Sequence, residues 1–320
     1  MKFRNLTLLA LIFFTLQSCV DNEAYFGSGG GVDNPEIYTR LADIIKHENV
    51  PTDTIAFNPL EDSNISGTFG VEINIPANSC ILGSNELPDE LFVVLREYPT
   101  LSKMALSNVQ TESNQEMLVT GGNFWWKIID ADGRDWDIVQ PSQITATQPV
   151  VLDMGEYADQ AAYFTGDIIS GGSQQVINWT QVRNNESGMG PNNVFEYNGL
   201  QLRWANVDAL YQYPDERTQL SAVLNPNDDI QPNQEMLLLI VEDFPSVINI
   251  YTKQGDSFVT HNNAIPVGLS GTLVAIALDN NDELLIGSTD ITVAGDDEFS
   301  IDIAPGSMSQ LTSLINQITN

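Results

Sequence analysis

The chain has 320 residues, with 12 Lys and Arg against 43 Asp and Glu and a formal net charge of −31. Nucleic-acid binding needs clustered basic side chains against phosphate, and a surface this acidic repels polyanions, so that function class is excluded. With 42% hydrophobic residues the chain has material for a packed core of two-domain size, and the acidity reads as solubility and self-repulsion rather than as a binding site.

The chain opens with MKFRNLTLLALIFFTLQSC, Met1 to Cys19. Lys2 and Arg4 form a basic region, Leu6 to Leu16 an apolar run, and Ser18 a small residue before Cys19. The run is too short for a bilayer span, which takes ~20 residues, so residues 1–18 are expected to be a cleaved export signal. Leu16-Gln17-Ser18-Cys19 resembles the lipobox of bacterial lipoproteins, with Gln17 where a small or branched residue is usual. The resemblance implies lipid attachment at Cys19, the plain secretory signal being the other reading. Once Cys19 is acylated, Cys80 is the only thiol, so neither an intrachain disulfide nor a cysteine metal cluster is expected. Residues 19–34 hold Gly27, Gly29, Gly30 and Gly31 and form a flexible tether with a reach of roughly 20 Å. Asp21, Asn22 and Glu23 are similar to the acidic export signals of outer-membrane lipoproteins that face the cell exterior; a periplasm-facing protein stays open.

Past the tether, Asp33 or Asn34 can cap a short helix with Pro35 in its first turn and Ile37, Leu41, Ile44 and Ile45 on one face. The period then changes to two. Phe69, Val71, Ile73 and Ile75 alternate with polar residues up to Pro76-Ala77-Asn78, and Leu91–Tyr98 and Asn123–Asp130 read as the next strands. Further strands are predicted over 150–153, 174–182, 201–204, 219–224, 236–242, 247–251, 272–278, 283–286 and 298–303, with Asp279 to Asp282 as a hairpin loop. Ser307 and Gln310 have the spacing of a capping box for a closing helix. Many short strands with helices only near the N- and C-termini predict a mainly β chain of two antiparallel β-sandwich-like domains, 35–155 and 156–320, with a boundary near Gly155 to Gln160. NQEML recurs at Asn114 and Asn233, but the flanks differ, so it is no repeat.

IPANSCILG (Ile75 to Gly83), VVLREYPTLSKMALSNV (Val93 to Val109) and EMLVTGGNFWWKIIDADGRD (Glu116 to Asp135) resemble a family of bacterial surface lipoproteins. Its members carry a PAN strand end, a strand ending in an E-Y pair and a T-G-G step. LRWANVDALYQYPDERTQL (Leu202 to Leu220) is similar to the W-x-N-x-D segment of the family's second β domain. The resemblance implies an exported protein of two β domains and supplies no reaction.

His47 and His261 are the only histidines, and no HExxH or paired-His ligand set occurs. Gly268-Leu269-Ser270-Gly271 lacks the spacing of a nucleophile elbow. Asp130, Asp132, Asp135 and Asp137 around Gly133 are reminiscent of a calcium loop, but the D-x-D-x-D-G order and the closing Glu are missing, so a hairpin turn is expected. Asp53-Thr54-Ile55 looks like a bacterial O-glycosylation site, or else a strand start. In Asn123–Asp130, alternation sends Phe124, Trp126 and Ile128 to the core and Trp125 to the other face, where it contacts either the second domain or a ligand. The sequence therefore predicts a non-enzymatic outer-membrane lipoprotein with a binding, adhesion or envelope-assembly role, joined to the membrane through Cys19, with a glycan or protein ligand and no cofactor or metal. The alternative is a polysaccharide-binding accessory protein or a carboxylate-dependent glycan hydrolase.

Overall fold

A computed structural model describes residues 41, 44–46, 50–83, 86–171, 174–183, 186–213, 216–225, 230–295 and 297–319. The protein is mainly β, with antiparallel sheets and few short helices, as the strand pattern predicts.

The first half runs β1 (Thr52–Phe57), β2 (Ser63–Ser66), β3 (Glu72–Ile75), β4 (Cys80–Ile81), β5 (Leu91–Tyr98), helix α1 (Leu101–Leu106), β6 (Glu112–Ser113), β7 (Glu116–Ile129), β8 (Asp135–Ile138) and β9 (Thr145–Pro149). It continues with β10 (Ala162–Gly171), β11 (Gln174–Gln181), β12 (Gly188–Met189), β13 (Val194–Asn198) and β14 (Arg203–Leu210). One sheet has the order β1-β5-β7-β14-β10-β11, and the other β12-β13-β9-β3-β2. Phe124, Trp126 and Ile128 from the first pack with Ile73, Phe195 and Tyr197 from the second in one core. Glu97 ties the two sheets together: its carboxyl oxygens accept from the amides of Phe69 at 2.7 Å and Val71 at 2.8 Å.

The second half holds β15 (Arg217–Thr218), β16 (Ser221–Asn225), β17 (Ile230–Val241), β18 (Val247–Asn249), β19 (Thr252–Gln254) and β20 (Ser257–Val259). After these come β21 (Ile265–Pro266), β22 (Ser270–Asp279), β23 (Leu284–Thr292), β24 (Glu298–Asp302), β25 (Ala304–Pro305) and helix α2 (Met308–Ile318). Its sheets are ordered β18-β17-β22-β23-β25 and β19-β20-β16-β24, with a core that includes Leu237, Leu239, Leu273 and Ile301. The β16 and β24 pair is parallel, against the antiparallel expectation, because the chain returns to β16 from the far sheet instead of through a hairpin. The Ser307 hydroxyl accepts from the Gln310 amide while the Gln310 side chain takes the Ser307 amide, which is the predicted capping box.

The expected boundary at Gly155–Gln160 does not divide the sheets. That segment is a 3-10 turn, and β10, β11, β13 and β14 beyond it complete the first sandwich. The sheets change over between Leu210 and Arg217 instead. A polar, glycine-led segment looks like a linker in sequence, whereas strand pairing across it is long-range and leaves no local mark.

The predicted strand Asn123–Asp130 is the second half of a longer one, because Gly121-Gly122 bends β7 without ending it. Asn206 pairs with Asn123 and Asp208 with Thr120, so β7 carries an extra residue there, and Gly122 has φ +117°. A Cβ on Gly121 would meet Met154 Sδ at 2.9 Å and Val207 at 3.0 Å, which leaves no room for a side chain at this bulge. No strand forms over 150–153; it lies just before, at Thr145–Pro149. Phe69 stands in the turn before β3, with the Lys103 ammonium 4.0 Å from its ring, so Val71, Ile73 and Ile75 alone enter the core.

Candidate functional site

Cys19, residues 1–18, the tether and His47 lie outside the described residues. Leu41 and Ile44 are helical, and Leu41 and Ile45 are buried, as the apolar face expected of the first helix requires. Asp53 and Thr54 lie on β1, the strand-start reading. Thr54 is exposed, and Asp53 accepts from the Thr68 amide at 2.7 Å and its hydroxyl at 2.8 Å.

Trp125 faces away from the first core, opposite Trp126, as alternation requires. It is nonetheless 3% exposed. Its cross-strand neighbours are Arg96 and Trp204, and the guanidinium carbons of Arg96 and Arg203 stand 5.0 and 5.9 Å from its ring centre. Arg203 is held in turn by Asp135, Nη2 to Oδ2 at 2.5 Å, and Lys127 Nζ takes the other Asp135 oxygen at 3.0 Å. Burial works against charge on Asp135, but these two cations outweigh it and hold its carboxyl below the usual range. The acids around Gly133 form the expected turn. Asp130 Oδ1 accepts from the amides of Asp132 and Arg134, and Oδ2 from Arg134 Nε at 2.8 Å and the Trp136 indole at 3.2 Å. Among the described residues no cluster of three or more His, Cys, Asp or Glu is arranged to hold a metal ion.

The aromatic face continues from Trp204 to Tyr98, 5.5 Å between ring centres, and to Trp179, 6.0 Å and near perpendicular. Its cover comes from residues 100–113. The Trp179 indole donates to the Gln110 carbonyl at 2.6 Å, Gln110 Nε2 to the Ile177 carbonyl at 2.9 Å, and Asn108 Nδ2 to the Gln175 carbonyl at 3.0 Å. The same segment holds the second sandwich. Thr111 exchanges bonds with Val247 in both directions, its amide to the carbonyl at 2.7 Å and its hydroxyl from the amide at 2.9 Å. Asn249 donates to Asn108 at 2.8 Å, and Ser102 on α1 bonds Asn316 on α2 at 2.5 Å. One short segment therefore closes the exposed edge β11 and joins the two sandwiches.

Beside that face the bulge gathers a buried polar cluster. Thr120, Asn123, Asn206 and Asp208 are 0–1% exposed. Asn206 Nδ2 donates to Asp208 Oδ2, and the Thr120 amide donates to the Pro245 carbonyl at 2.9 Å, which brings in the second sandwich. Asp208 Oδ1 and both polar atoms of the Asn123 side chain are buried without a hydrogen-bond partner. Burial pushes the Asp208 carboxyl well above its ordinary value, against the lowering bonds from Thr120 and Asn206.

A second buried carboxyl, Glu112, lines a small cleft between the β6–β7 hairpin and the second sandwich, where Asn249, Tyr251 and His261 also stand. Burial raises it to about 7, although the Gln115 amide bonds it and pulls the other way. Neither carboxyl has a sequence signal of its own, since periodicity cannot tell a buried acid from a solvated one. The T-G-G step opposite W-x-N-x-D is the mark that could have located Asp208.

No family model and no curated protein matches the chain. The segments that carry the resemblance to surface lipoproteins all have structural work here. Pro76-Ala77-Asn78 ends β3 with Asn78 at φ +62°, Glu97 and Tyr98 fix the two faces of β5, and the T-G-G and W-x-N-x-D segments build the bulge.

Proposed function

We propose that the chain is an exported outer-membrane lipoprotein, anchored through Cys19 and facing the cell exterior, which binds, adheres or assists envelope assembly without catalysing a reaction. The observation that carries the reading is the order of the leader: basic residues, a short apolar run, then Leu16-Gln17-Ser18-Cys19 and a glycine-rich tether. Three side chains that the glycan reading would draw on are already engaged within the fold. Trp125 lies beneath Arg96 and Arg203, and Asp130 and Asp135 are bonded to Arg134 and Arg203.

The hydrolase reading has one observation in its favour, the Glu112 carboxyl, whose raised value suits a general acid. Against it, that cleft encloses about 20 Å³, far less than a sugar ring needs.

Cys19→Ala in the full-length protein is expected to release it from the envelope fraction and to abolish incorporation of a labelled fatty acid. A variant that still pellets with membranes, beside an unlabelled wild type, would end the anchoring reading. A glycan array probed with the full-length protein tests the ligand side.

A further inference from the structure

Glu112 faces a cleft rather than a sealed core. The cleft encloses about 20 Å³, room for about one water-sized group. Met117, Ile250 and Ile265 give it apolar walls, and the rings of Tyr251 and His261 stand 6.3 Å apart, near perpendicular, among its lining residues. The Glu112 carboxyl takes the Gln115 amide, and among the described residues no Lys or Arg is paired with it. The other titratable and charged groups around it are Tyr251 and His261 from the second sandwich, Tyr213 with the Arg217 guanidinium 4.7 Å from its ring centre, and Glu116 across the hairpin.

A buried carboxyl with no cationic side chain beside it either keeps a proton or takes a cation from outside. A calcium ion wants six to eight oxygen ligands, which these apolar walls do not offer. An anion is repelled, and a bulky cation does not fit the volume. What fits is a compact charged head that donates hydrogen bonds, with its stem leaving the cleft rather than filling it. We propose that this cleft binds a primary ammonium group carried on a short aliphatic stem, with the Glu112 carboxylate as its counter-ion. The inference rests on the cleft alone and stands apart from the anchored, non-catalytic reading. Two sources share the chemistry: a free alkylamine, and a lysine side chain of a protein partner.

Below neutral pH the site starts as the carboxylic acid, so binding converts Glu112–COOH and R–NH3+ into the ion pair and releases one proton to solvent. Affinity should then fall about tenfold for each pH unit below about 7 and level off above it. The test is isothermal calorimetry on the full-length protein in non-ionic detergent, with n-butylamine and with Nα-acetyl-lysine amide as probes. Titrations at pH 5.5 and 8.5, each in two buffers of different ionisation heat, count the protons. Saturable binding is expected, with about one proton released at pH 5.5 and none at pH 8.5, and at least tenfold weaker binding in Glu112→Gln. Binding of n-butylamine alone assigns the site to free amines; binding of both probes assigns it to lysine side chains. Ala264→Leu fills the cleft without touching the carboxyl and should also abolish binding, which covers the case in which Glu112→Gln does not fold. Absence of binding by both probes overturns the proposal, as do unchanged affinity in either folded variant and wild-type binding without proton release at pH 5.5.

Discussion

Trp125 and Trp126 are adjacent on β7 and point to opposite faces of the sheet, yet they are 3% and 0% exposed. Each face has its own cover: the second sheet over Trp126, and the two guanidinium groups of Arg96 and Arg203 beside Trp125. Trp126 also donates its indole N–H to the Gln201 carbonyl at 2.8 Å. Truncating a buried tryptophan costs ~3 to 5 kcal/mol through lost transfer energy and the cavity left behind. Trp126→Ala and Trp125→Ala should therefore both fall in this range in guanidinium melts. A cost below about 1 kcal/mol for Trp125→Ala would mean that its face is open to water in solution.

Arg203 has φ +84°, a backbone state that costs a non-glycine residue ~1 to 2 kcal/mol. Its guanidinium is fixed at the far end by Asp135 and lies by the Trp125 ring, so side-chain contacts hold the backbone where it is. Arg203→Ala loses the contacts and keeps the strain, while Arg203→Gly loses the contacts and relieves it. The glycine variant should be the more stable of the two by ~1 kcal/mol, the reverse of the usual order in a strand interior. Paired urea melts decide it: an alanine variant at least as stable as the glycine variant would show that the positive φ is not maintained.

Much of the architecture was legible because its signals are local. Leu91–Tyr98 is a strand over the residues its period of two predicts, Asp279 closes the β22–β23 hairpin by accepting from the Asn281 and Glu283 amides, and Ser307 and Gln310 cap α2. What was not legible depends on residues far apart in sequence. Gly67 and Glu97 are such a pair: a Cβ on Gly67 would stand 2.4 Å from a Glu97 oxygen, so the turn is shaped by a carboxyl on the facing sheet. The pairing across Gly155–Gln160 was hidden for the same reason, since β9 pairs with β13 and β7 with β14 from opposite sides of that segment. Alternation placed Trp125 on the correct face but carries no information about what lies above it. The buried acids Glu112 and Asp208 were hidden because 43 Asp and Glu in one chain make any single one unremarked.

Asp208 ties the polar cluster to the stability of the whole chain. It is fully buried, its partners are the neutral side chains of Thr120 and Asn206, and the buried Tyr197 is a titratable neighbour, so its environment favours the protonated acid. In the unfolded chain the same carboxyl ionises near pH ~4. Between that value and its raised folded-state value, the folded protein binds one proton more than the unfolded one. Stability from this group is therefore fully present below pH ~4 and is lost as pH rises, by about 1.4 kcal/mol per unit. Asp208→Asn keeps the shape and an oxygen for the Asn206 amide, carries no ionisable proton, and removes the slope. Urea melts of both proteins at pH 5, 6, 7 and 8 isolate the effect, because every other titrating group, Glu112 included, is common to the two. The variant should gain on the wild type as pH rises from ~4 toward the raised folded-state value of Asp208. Parallel curves would mean that Asp208 ionises in the folded protein, with its charge met by a partner other than the side chains of Thr120 and Asn206.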